Sequence, residues 1–410
     1  MTRALLALLL LAAAGCRSTT DPSDQVPLLT ALPRALSTGE QAAIAANNGF
    51  AFRLANALVA AQPAENVFVS PLSVSFALGM VLNGAQGDTR DSMATTLGFG
   101  ALPQAEINES YRTLIALLLG LDSRVEYTIA NSLWAHQGFP IKQAFLDDAR
   151  RFFDAEARAI DFGASSAVST INGWVNDKTR GKIPTIIEQI DSNEILFAIN
   201  AIYFKGLWRD QFKKAETAPG TFHRAGGGTQ TVPFMHRLVK TPYRQGANFQ
   251  AVDLWYGAGA HTMTVVVPAA GVSIDQVIRG LDRTGWDALT GGLQPLDVDL
   301  FLPKLRLEYK RSLKDDLGAL GMNLAFDAGR ANFRGIAEDD LYLTRVDHKT
   351  FVDINEEGTE AAAVTNVGVG VTSLPQQVTL RVDRPFLVVL RERLSGTITF
   401  LGRINSIPTG

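Results

Sequence analysis

Cysteine, histidine and recognisable catalytic motifs are scarce in this sequence of 410 residues. A single cysteine excludes an internal disulfide. The five histidines lie far apart, and none has a ligand-like neighbour at i+2 or i+4, as a metal site would favour. The sequence also contains no G-x-S-x-G elbow, no P-loop and no H-E-x-x-H motif. We therefore expect no metal, no cofactor and no catalytic residue, and the chain is predicted not to be an enzyme.

A strong net charge is missing as well. The formal net charge is -3, from 38 basic and 41 acidic residues, and no long basic run stands out. This balance argues against nucleic acid as a partner. Because 46% of the residues are hydrophobic, the chain can bury a large core and is too apolar to be disordered.

A long apolar run stands at the amino terminus, MTRALLALLLLAAAGC. It is too short to span a bilayer, follows Arg3 and ends in small residues, so residues 1–15 are predicted to be a signal peptide. The Gly15-Cys16 pair resembles the bacterial lipoprotein signal, in which Cys16 would be lipidated. The alternative is a plain secretory signal with an incidental cysteine. Residues 16–36 are interpreted as a polar tether, and the protein is expected to be secreted or lipid-anchored in a bacterial cell envelope.

Helical and strand patterns are mixed along the rest of the chain without a regular βα rhythm. A capping box at Ser37–Glu40 predicts a helix over 40–61. Ser70-Pro71 predicts the start of a second helix, which is apolar nearly all round and must be buried. Strands are predicted at 66–69, 125–129, 195–204, 341–346, 385–390 and 397–401. The sequence therefore predicts one α+β domain over 37–410 with mixed or antiparallel sheets.

One segment near the carboxyl terminus, EEGTEAAAVTNVGVGVTSLP, carries two conflicting signals. Small or apolar residues recur at every second position from Thr359 to Val371, which is typical of a half-buried strand. The intervening positions include Gly368 and Gly370, which favour a flexible loop.

Five stretches of the sequence, in order, resemble the serpin family of protease inhibitors. They are 66–93, 199–212, 301–322, 348–365 and 384–404. The resemblance runs from about residue 40 to 408. It implies a single serpin domain of about eight or nine helices around three β-sheets, with an exposed reactive-centre loop at about 356–380. It also resolves the conflict above, because the family's loop becomes a strand of the central sheet after cleavage.

The resemblance assigns expected roles to particular residues. The hinge of the loop matches Glu356, Gly358, Thr359, Glu360, Ala361, Ala362, Ala363, Val364 and Thr365. The polar shutter under the middle of the central sheet matches Ser70, Ser73, Asn200 and His348. The breach, where insertion begins, matches Trp208, Lys304 and Glu356. The Lys304–Glu356 pair is expected to be partly exposed and to contribute little.

The scissile bond is predicted by counting along the loop. Counting forward from Gly358 in the family register places it at Thr372-Ser373, with Val371-Thr372 as the next choice. Counting backward places it near Leu374, but Pro375 would then follow the bond, and most serine proteases reject proline there. A small β-branched residue at this position suits elastase-like or subtilisin-like proteases. The expected partner is thus a serine protease, captured as a covalent acyl complex by a monomeric inhibitor, with membrane contact only through Cys16.

Three other interpretations stay open at this point. A non-inhibitory serpin would serve in binding or envelope structure, although such relatives tend to carry bulky or charged residues at the inward hinge positions. Val364, where another alanine is usual, is a mild departure in this chain. Inhibition of cysteine proteases is the second alternative, and a hydrolase on an unrelated fold is the third.

Overall fold

The computed structural model describes residues 27–100, 102–191, 194–359 and 377–408. The helices within these ranges are α1 (Thr38–Ala61), α2 (Pro71–Leu82), α3 (Gly87–Leu97), α4 (Gln104–Gly120), α5 (Gln143–Phe153), α6 (Ala167–Lys178), α7 (Ile274–Arg279), α8 (Arg283–Gly291) and α9 (Lys314–Leu317). The strands are β1 (Val67–Val69), β2 (Val125–His136), β3 (Ala155–Ile160), β4 (Leu196–Leu207), β5 (Ala218–His223), β6 (Thr229–Gln245), β7 (Phe249–Trp255), β8 (His261–Pro268), β9 (Gln294–Pro303), β10 (Leu305–Ser312), β11 (Asp347–Ile354), β12 (Gly358–Thr359), β13 (Gln377–Arg381), β14 (Phe386–Glu392) and β15 (Ile398–Ile404). Helices and strands are interspersed throughout, so the predicted α+β class is confirmed.

The first helix begins where its capping box predicts. The Ser37 hydroxyl accepts from the Glu40 N–H at 3.1 Å, and the Glu40 carboxylate accepts from the Ser37 N–H at 2.8 Å. These two bonds satisfy amide groups that a helix start leaves without partners. The Arg34 guanidinium also donates to Glu40 and lowers its pKa to about 2.

The second helix is the buried one that the sequence predicts. Ser70 caps α2 by accepting from the Ser73 N–H, and Pro71 occupies its first turn. Every residue of α2 except Ala77 is buried. Because the helix contacts both β4 and β15, it forms the centre of the core between the two groups of strands.

Six strands form the central sheet, in the order β10-β11-β12-β4-β2-β3. The β2–β3 pair is parallel and the other pairs are antiparallel. The two-residue strand β12 lies between the longer strands β11 and β4. It pairs with only one end of each, so the rest of β11 and β4 face each other across a slot in the sheet.

The other nine strands form two sheets that share β6. Their order is β1-β15-β14-β8-β7-β6-β9-β13, with β5 also paired to β6. Along β6, Thr229–Phe234 pair with β5, Phe234–Tyr243 pair with β9, and only Tyr243–Gln245 pair with β7. Together with the central sheet this arrangement gives the three predicted sheets.

The prediction of a strand over 341–346 is wrong. These residues lie outside the strands of the structure, and β11 begins at Asp347. A strand needs a neighbouring backbone to pair with. Residues 341–346 instead border a cavity of the slot, and their backbone is held by isolated bonds such as that from the Leu343 N–H to the Ala325 carbonyl at 2.8 Å.

The last part of the predicted tether contacts the domain. Leu29 donates its N–H to the Ala258 carbonyl at 2.8 Å, and three leucines of this part pack against the end of α4, namely Leu29, Leu32 and Leu36. Residues 1–26, including Cys16, lie outside the described residues. In the described ranges, the helices are all too short or too polar to cross a membrane.

Candidate functional site

The candidate site begins at a tight turn between β11 and β12. The Asn355 side-chain oxygen accepts from the N–H groups of Glu357 and Gly358, and the Asn355 N–H donates to the Gly358 carbonyl at 2.9 Å. A Cβ on Gly358 would lie 2.1 Å from the carbonyl oxygen of Gly206, which no side chain can do. Glycine is therefore required at 358 for the chain to enter the sheet next to β4.

Thr359 is already part of the central sheet. It pairs with Ile354 on one side and Gly206 on the other, and only 4% of its surface is exposed. Its hydroxyl shares a hydrogen bond of 2.7 Å with the Tyr256 hydroxyl. The first inward position of the predicted hinge is thus buried and hydrogen-bonded in this structure.

Trp208 contacts the hinge turn at this end of the slot. Its indole N–H donates to the Asn355 carbonyl at 2.8 Å, and its backbone N–H donates to the Glu357 carbonyl at 2.9 Å. Its ring stacks on that of Tyr256 with centroids 4.4 Å apart. The structure therefore brings Trp208 into direct contact with the hinge turn.

Glu356 is more buried than the sequence suggests. Its side chain is 6% exposed, and its carboxylate contacts the Lys304 ammonium at 2.9 Å and the Thr217 hydroxyl at 2.9 Å. Burial alone would raise the pKa of Glu356, but the hydrogen bonds from Lys304, its own backbone and Thr217 outweigh burial and lower it. The expected pair is present, yet its acidic partner is largely removed from water, so removing Lys304 would leave a buried charge.

Two contacts at the hinge have no signal in the sequence. Lys214 pairs with Glu357 at 2.6 Å, and Thr217 bonds Glu356 as described above. Both come from the short segment after β4, which also donates the Phe212 N–H to the Glu356 carbonyl. Neither residue stands in a periodic or capping pattern, so only the tertiary structure identifies them.

The far end of the slot contains a cavity of about 280 Å³. Its walls are the start of β4, residues 341–349 and the face of α2 that carries Ser73 and Ala77. The hinge end of the slot is thus filled by β12, whereas the far end is open between the same two strands.

Three of the four predicted shutter residues, Ser70, Ser73 and His348, are joined by direct hydrogen bonds beside this cavity, which Ser73, His348 and Asn200 line. The His348 imidazole accepts from the Ser70 N–H at 3.0 Å through Nε2. The Ser70 hydroxyl accepts from the Ser73 N–H at 3.2 Å and donates to the Thr399 carbonyl at 2.7 Å. Burial lowers the pKa of His348 to about 4, so its ring is neutral near pH 7. An accepting Nε2 places the ring proton on Nδ1.

The fourth, Asn200, is oriented towards a different strand. Its side-chain amide donates to Asn131 on β2 at 2.7 Å, and it meets Ser73 only through its backbone carbonyl, at 3.4 Å. Its side-chain oxygen is buried and has no hydrogen-bond partner in the described part of the chain. Sequence reasoning missed Asn131, which lies 69 positions away from Asn200.

The remaining predicted site residues lie outside the described residues. They are Glu360, Ala361, Ala362, Ala363, Val364, Thr365, Val371, Thr372 and Ser373. In the parts of the chain that are described, no cluster of three or more histidine, cysteine or acidic side chains could hold a metal ion.

Comparison with known proteins identifies the family to which this architecture belongs. Residues 45–407 match the family model described as serpin (serine protease inhibitor). The chain belongs to the serpin family. It is 34% identical over 391 residues to Iripin-1 of Ixodes ricinus, covering 93% of this chain and 99% of that protein. It is also 34% identical over 353 residues to the leukocyte elastase inhibitor of Xenopus tropicalis, covering 83% and 93%.

The serpin fold is found in solved structures as well. Human thyroxine-binding globulin, crystallised with its ligand, superposes with a TM-score of 0.83 at 28% identity and covers 91% of this chain and all of that one. The predicted fold of the domain is therefore confirmed. The comparisons include a relative named as an elastase inhibitor and one named for binding thyroxine, so family membership alone does not assign a target.

Proposed function

We propose that this serpin is an irreversible suicide-substrate inhibitor of serine endopeptidases with elastase-like or subtilisin-like specificity. The observation that supports this proposal is the slot between β4 and β11, whose hinge end already holds Gly358 and Thr359 as a strand. A strand inserted along the slot would pair with both neighbours.

The proposed reaction begins at the loop. The protease serine oxygen attacks the carbonyl carbon of Thr372, the bond to Ser373 breaks, and the amine of Ser373 leaves with a proton. The protease is then joined to Thr372 as an acyl ester. Thr372 thus acts as the substrate residue at the cleavage site, and the catalytic groups belong to the protease.

Insertion of the cleaved loop would then trap the ester. The inward residues after Thr359 are small at first, which lets them enter between the strands without displacing a packed core. Val367, Val369 and Val371 follow, and burial of each valine contributes about 1.5 to 3 kcal/mol. Insertion would carry the protease to the far end of the slot and distort its oxyanion hole. Loss of one oxyanion donor slows an acyl-transfer step by roughly a hundred- to a thousandfold.

The test is to mix the protein with an elastase and with a subtilisin and run denaturing gels. A complex that survives detergent supports capture, whereas loop cleavage with free protease indicates a substrate. The Thr372→Asp variant is the matched control, because a shallow apolar S1 pocket should reject the charge and form little complex. The cleaved protein should also melt at a higher temperature than the intact one, since the loop would then be a strand.

A second candidate is a ligand-binding serpin without inhibitory activity. Human thyroxine-binding globulin, which is named for its ligand, has the same fold as this chain. This alternative would leave the cleaved and intact forms with similar melting temperatures and no covalent complex with any protease.

Capture of a cysteine protease would instead give a thioester complex with papain-like enzymes.

We further propose that the protein acts outside the cytoplasm of a bacterium as a monomer. The support is the signal-like run before Cys16, with lipidation of Cys16 as the form that would anchor the inhibitor to a membrane. Mass spectrometry of the mature amino terminus separates the two forms. A free terminus without acyl chains contradicts anchoring.

A further inference from the structure

One side chain crosses the far end of the slot. Arg345, two residues before β11, places its guanidinium carbon 4.9 Å from the centroid of the Phe197 ring on β4. Because β11 and β4 border the slot on its two sides, this cation–π contact joins one side to the other. Phe197 packs in a cluster with Ile171 and Trp174 of α6, so the contact lies on the α6 side of the central sheet.

Hydrogen bonds and ion pairs hold the guanidinium in this position. Nη2 of Arg345 donates to the Gln189 carbonyl at 2.9 Å and to the Glu194 carboxylate at 3.2 Å. Asp347 brings a second carboxylate to 3.2 Å from the Arg345 Nε. The Glu194 side chain is 1% exposed, so moving the guanidinium away would leave a buried carboxylate without its cation. We call Arg345 and these partners the far-end bridge.

The pairing of β12 predicts which position of an inserted loop would lie at the far-end bridge. Thr359 pairs with Gly206 on one side of the slot and with Ile354 on the other, and both pairs are antiparallel. Nine residues further along a strand in this register, the two neighbours would be Phe197 and Arg345. The two residues of the cation–π contact would therefore flank one and the same position of the inserted strand.

Gly368 occupies that position of the sequence. Directly paired residues of neighbouring strands point to the same face, so residue 368 would point to the α6 side, together with Phe197. Gly370 would likewise be flanked by Ile195 and Leu343, which both line the cavity at the far end. Glycine weakens a strand and often marks a place where another group comes close. The far-end bridge thus gives a physical reason for glycine in a segment that is otherwise typical of a strand.

We propose that Arg345 is a positioning residue for insertion: the far-end bridge stays closed, and the strand passes beneath it with Gly368 under the guanidinium. This inference rests on the proposed function, because it concerns the last part of the same insertion. A side chain at position 368 would meet the guanidinium and stop the strand before Val369 and Val371 are buried. Arg345 itself takes no part in the reaction with the protease.

The first test measures insertion without a trapping reaction. The loop is cut by a metalloprotease, which forms no acyl-enzyme, and mass spectrometry confirms a cut between Gly368 and Pro375. The cut natural protein should melt well above the intact one. In Gly368→Leu this rise should fall to less than about half, because the leucine would overpack the space under the guanidinium. Asn366→Leu is the matched control and should keep most of the rise, since position 366 points to the same face but does not lie between Phe197 and Arg345.

A second substitution decides whether Arg345 is the obstacle. Arg345→Ala in the Gly368→Leu protein should restore most of the rise in melting temperature. Because the alanine leaves the buried Glu194 carboxylate without a cation and could impair folding, a parallel variant adds Glu194→Gln, whose amide needs no cation. Failure of both combinations to restore the rise overturns the role of Arg345, and so does a full rise in Gly368→Leu alone.

The same measurements separate this inference from the proposed function. If the cut natural protein gains no stability, the loop does not insert, and both proposals fail. If it gains stability and Gly368→Leu gains as much, the proposed function stands and only the role of Arg345 is wrong. With an elastase, Gly368→Leu should consume at least about threefold more inhibitor per captured protease molecule, and Arg345→Ala should lower that number again.

Discussion

At the hinge end of the slot, side chains and backbone groups bond to one another, whereas at the cavity end a buried acceptor has no partner among the described residues. Thr359, Glu356 and Glu357 each have a partner of their own, in Tyr256, Lys304 and Lys214. At the other end the Asn200 side-chain oxygen has none in the described part of the chain. Under the proposed insertion, the hinge end would need little rearrangement, and most of the rearrangement would fall at the far end.

The largest expected loss of stability and of protease capture comes from a charge placed at the hinge end. Thr359→Arg would place a guanidinium where the threonine is buried against Tyr256, and an uncompensated buried charge costs about 3 to 5 kcal/mol. The urea midpoint should fall accordingly, and any protease that cleaves the loop should be released. Thr359→Ser keeps the hydroxyl and is the control. Undiminished capture by Thr359→Arg would show that the hinge end need not enter the sheet.

The second largest effect is the loss of stability expected at low pH from His348, at the cavity end of the slot. His348 has an ordinary pKa near 6.5 when unfolded and about 4 when folded, so the folded state resists its protonation. Stability is therefore fully retained above pH 6.5 and falls as pH drops from 6.5 to 4, by roughly 3 kcal/mol from this residue.

The His348→Gln variant isolates that contribution. Its amide oxygen can still accept from the Ser70 N–H, but it does not titrate. Urea unfolding at pH 7 and pH 4 should show a smaller loss of stability in the variant than in the natural protein. Equal losses would assign the acid sensitivity to other buried groups, such as His261, whose pKa burial also lowers to about 4.

A smaller effect is expected from the ion pair at the hinge. Glu356→Gln removes the charge but keeps an acceptor for Thr217, and should cost about 1 to 2 kcal/mol because the Lys304 side chain is 39% exposed. The lowered pKa of Glu356 means that the natural protein loses this contribution as pH falls below the ordinary glutamate value. The two proteins should thus become more alike in acid, and a constant difference down to pH 3 would contradict the pairing.

The smallest effect is expected for Lys214→Met. Lys214 pairs with Glu357 at the hinge end; its side chain is 68% exposed, whereas that of Glu357 is 11% exposed. Because the ammonium is well hydrated and the attraction is screened by salt, the pair should contribute little at high ionic strength. The melting temperature should match that of the natural protein in 1 M NaCl. A clear loss at high salt would mean that the hinge depends on this contact more than its exposure allows.

The local features of this serpin could be predicted from the sequence alone. The capping box at Ser37–Glu40 and the cap at Ser70 join residues three positions apart. The starts of α1 and α2 can therefore be predicted from adjacent residues in the sequence. The long apolar run over 195–204 likewise predicts β4, although the strand extends to Leu207. The strand expected at 341–346 was wrong, because a strand-like sequence cannot tell whether a neighbouring backbone will be present to pair with.

The tertiary structure alone decided how the site is joined. Tyr256 and Thr359 are 103 positions apart, so their contact depends on the packing of whole sheets. The Lys304–Glu356 pair was expected from the family resemblance, but the burial of its carboxylate was decided by packing. Packing likewise directed Asn200 to Asn131 and placed Arg345 over the Phe197 ring. Caps and periodicity are set by bonds within a few residues of chain, whereas burial and long-range partners depend on which surfaces the folded backbone brings together.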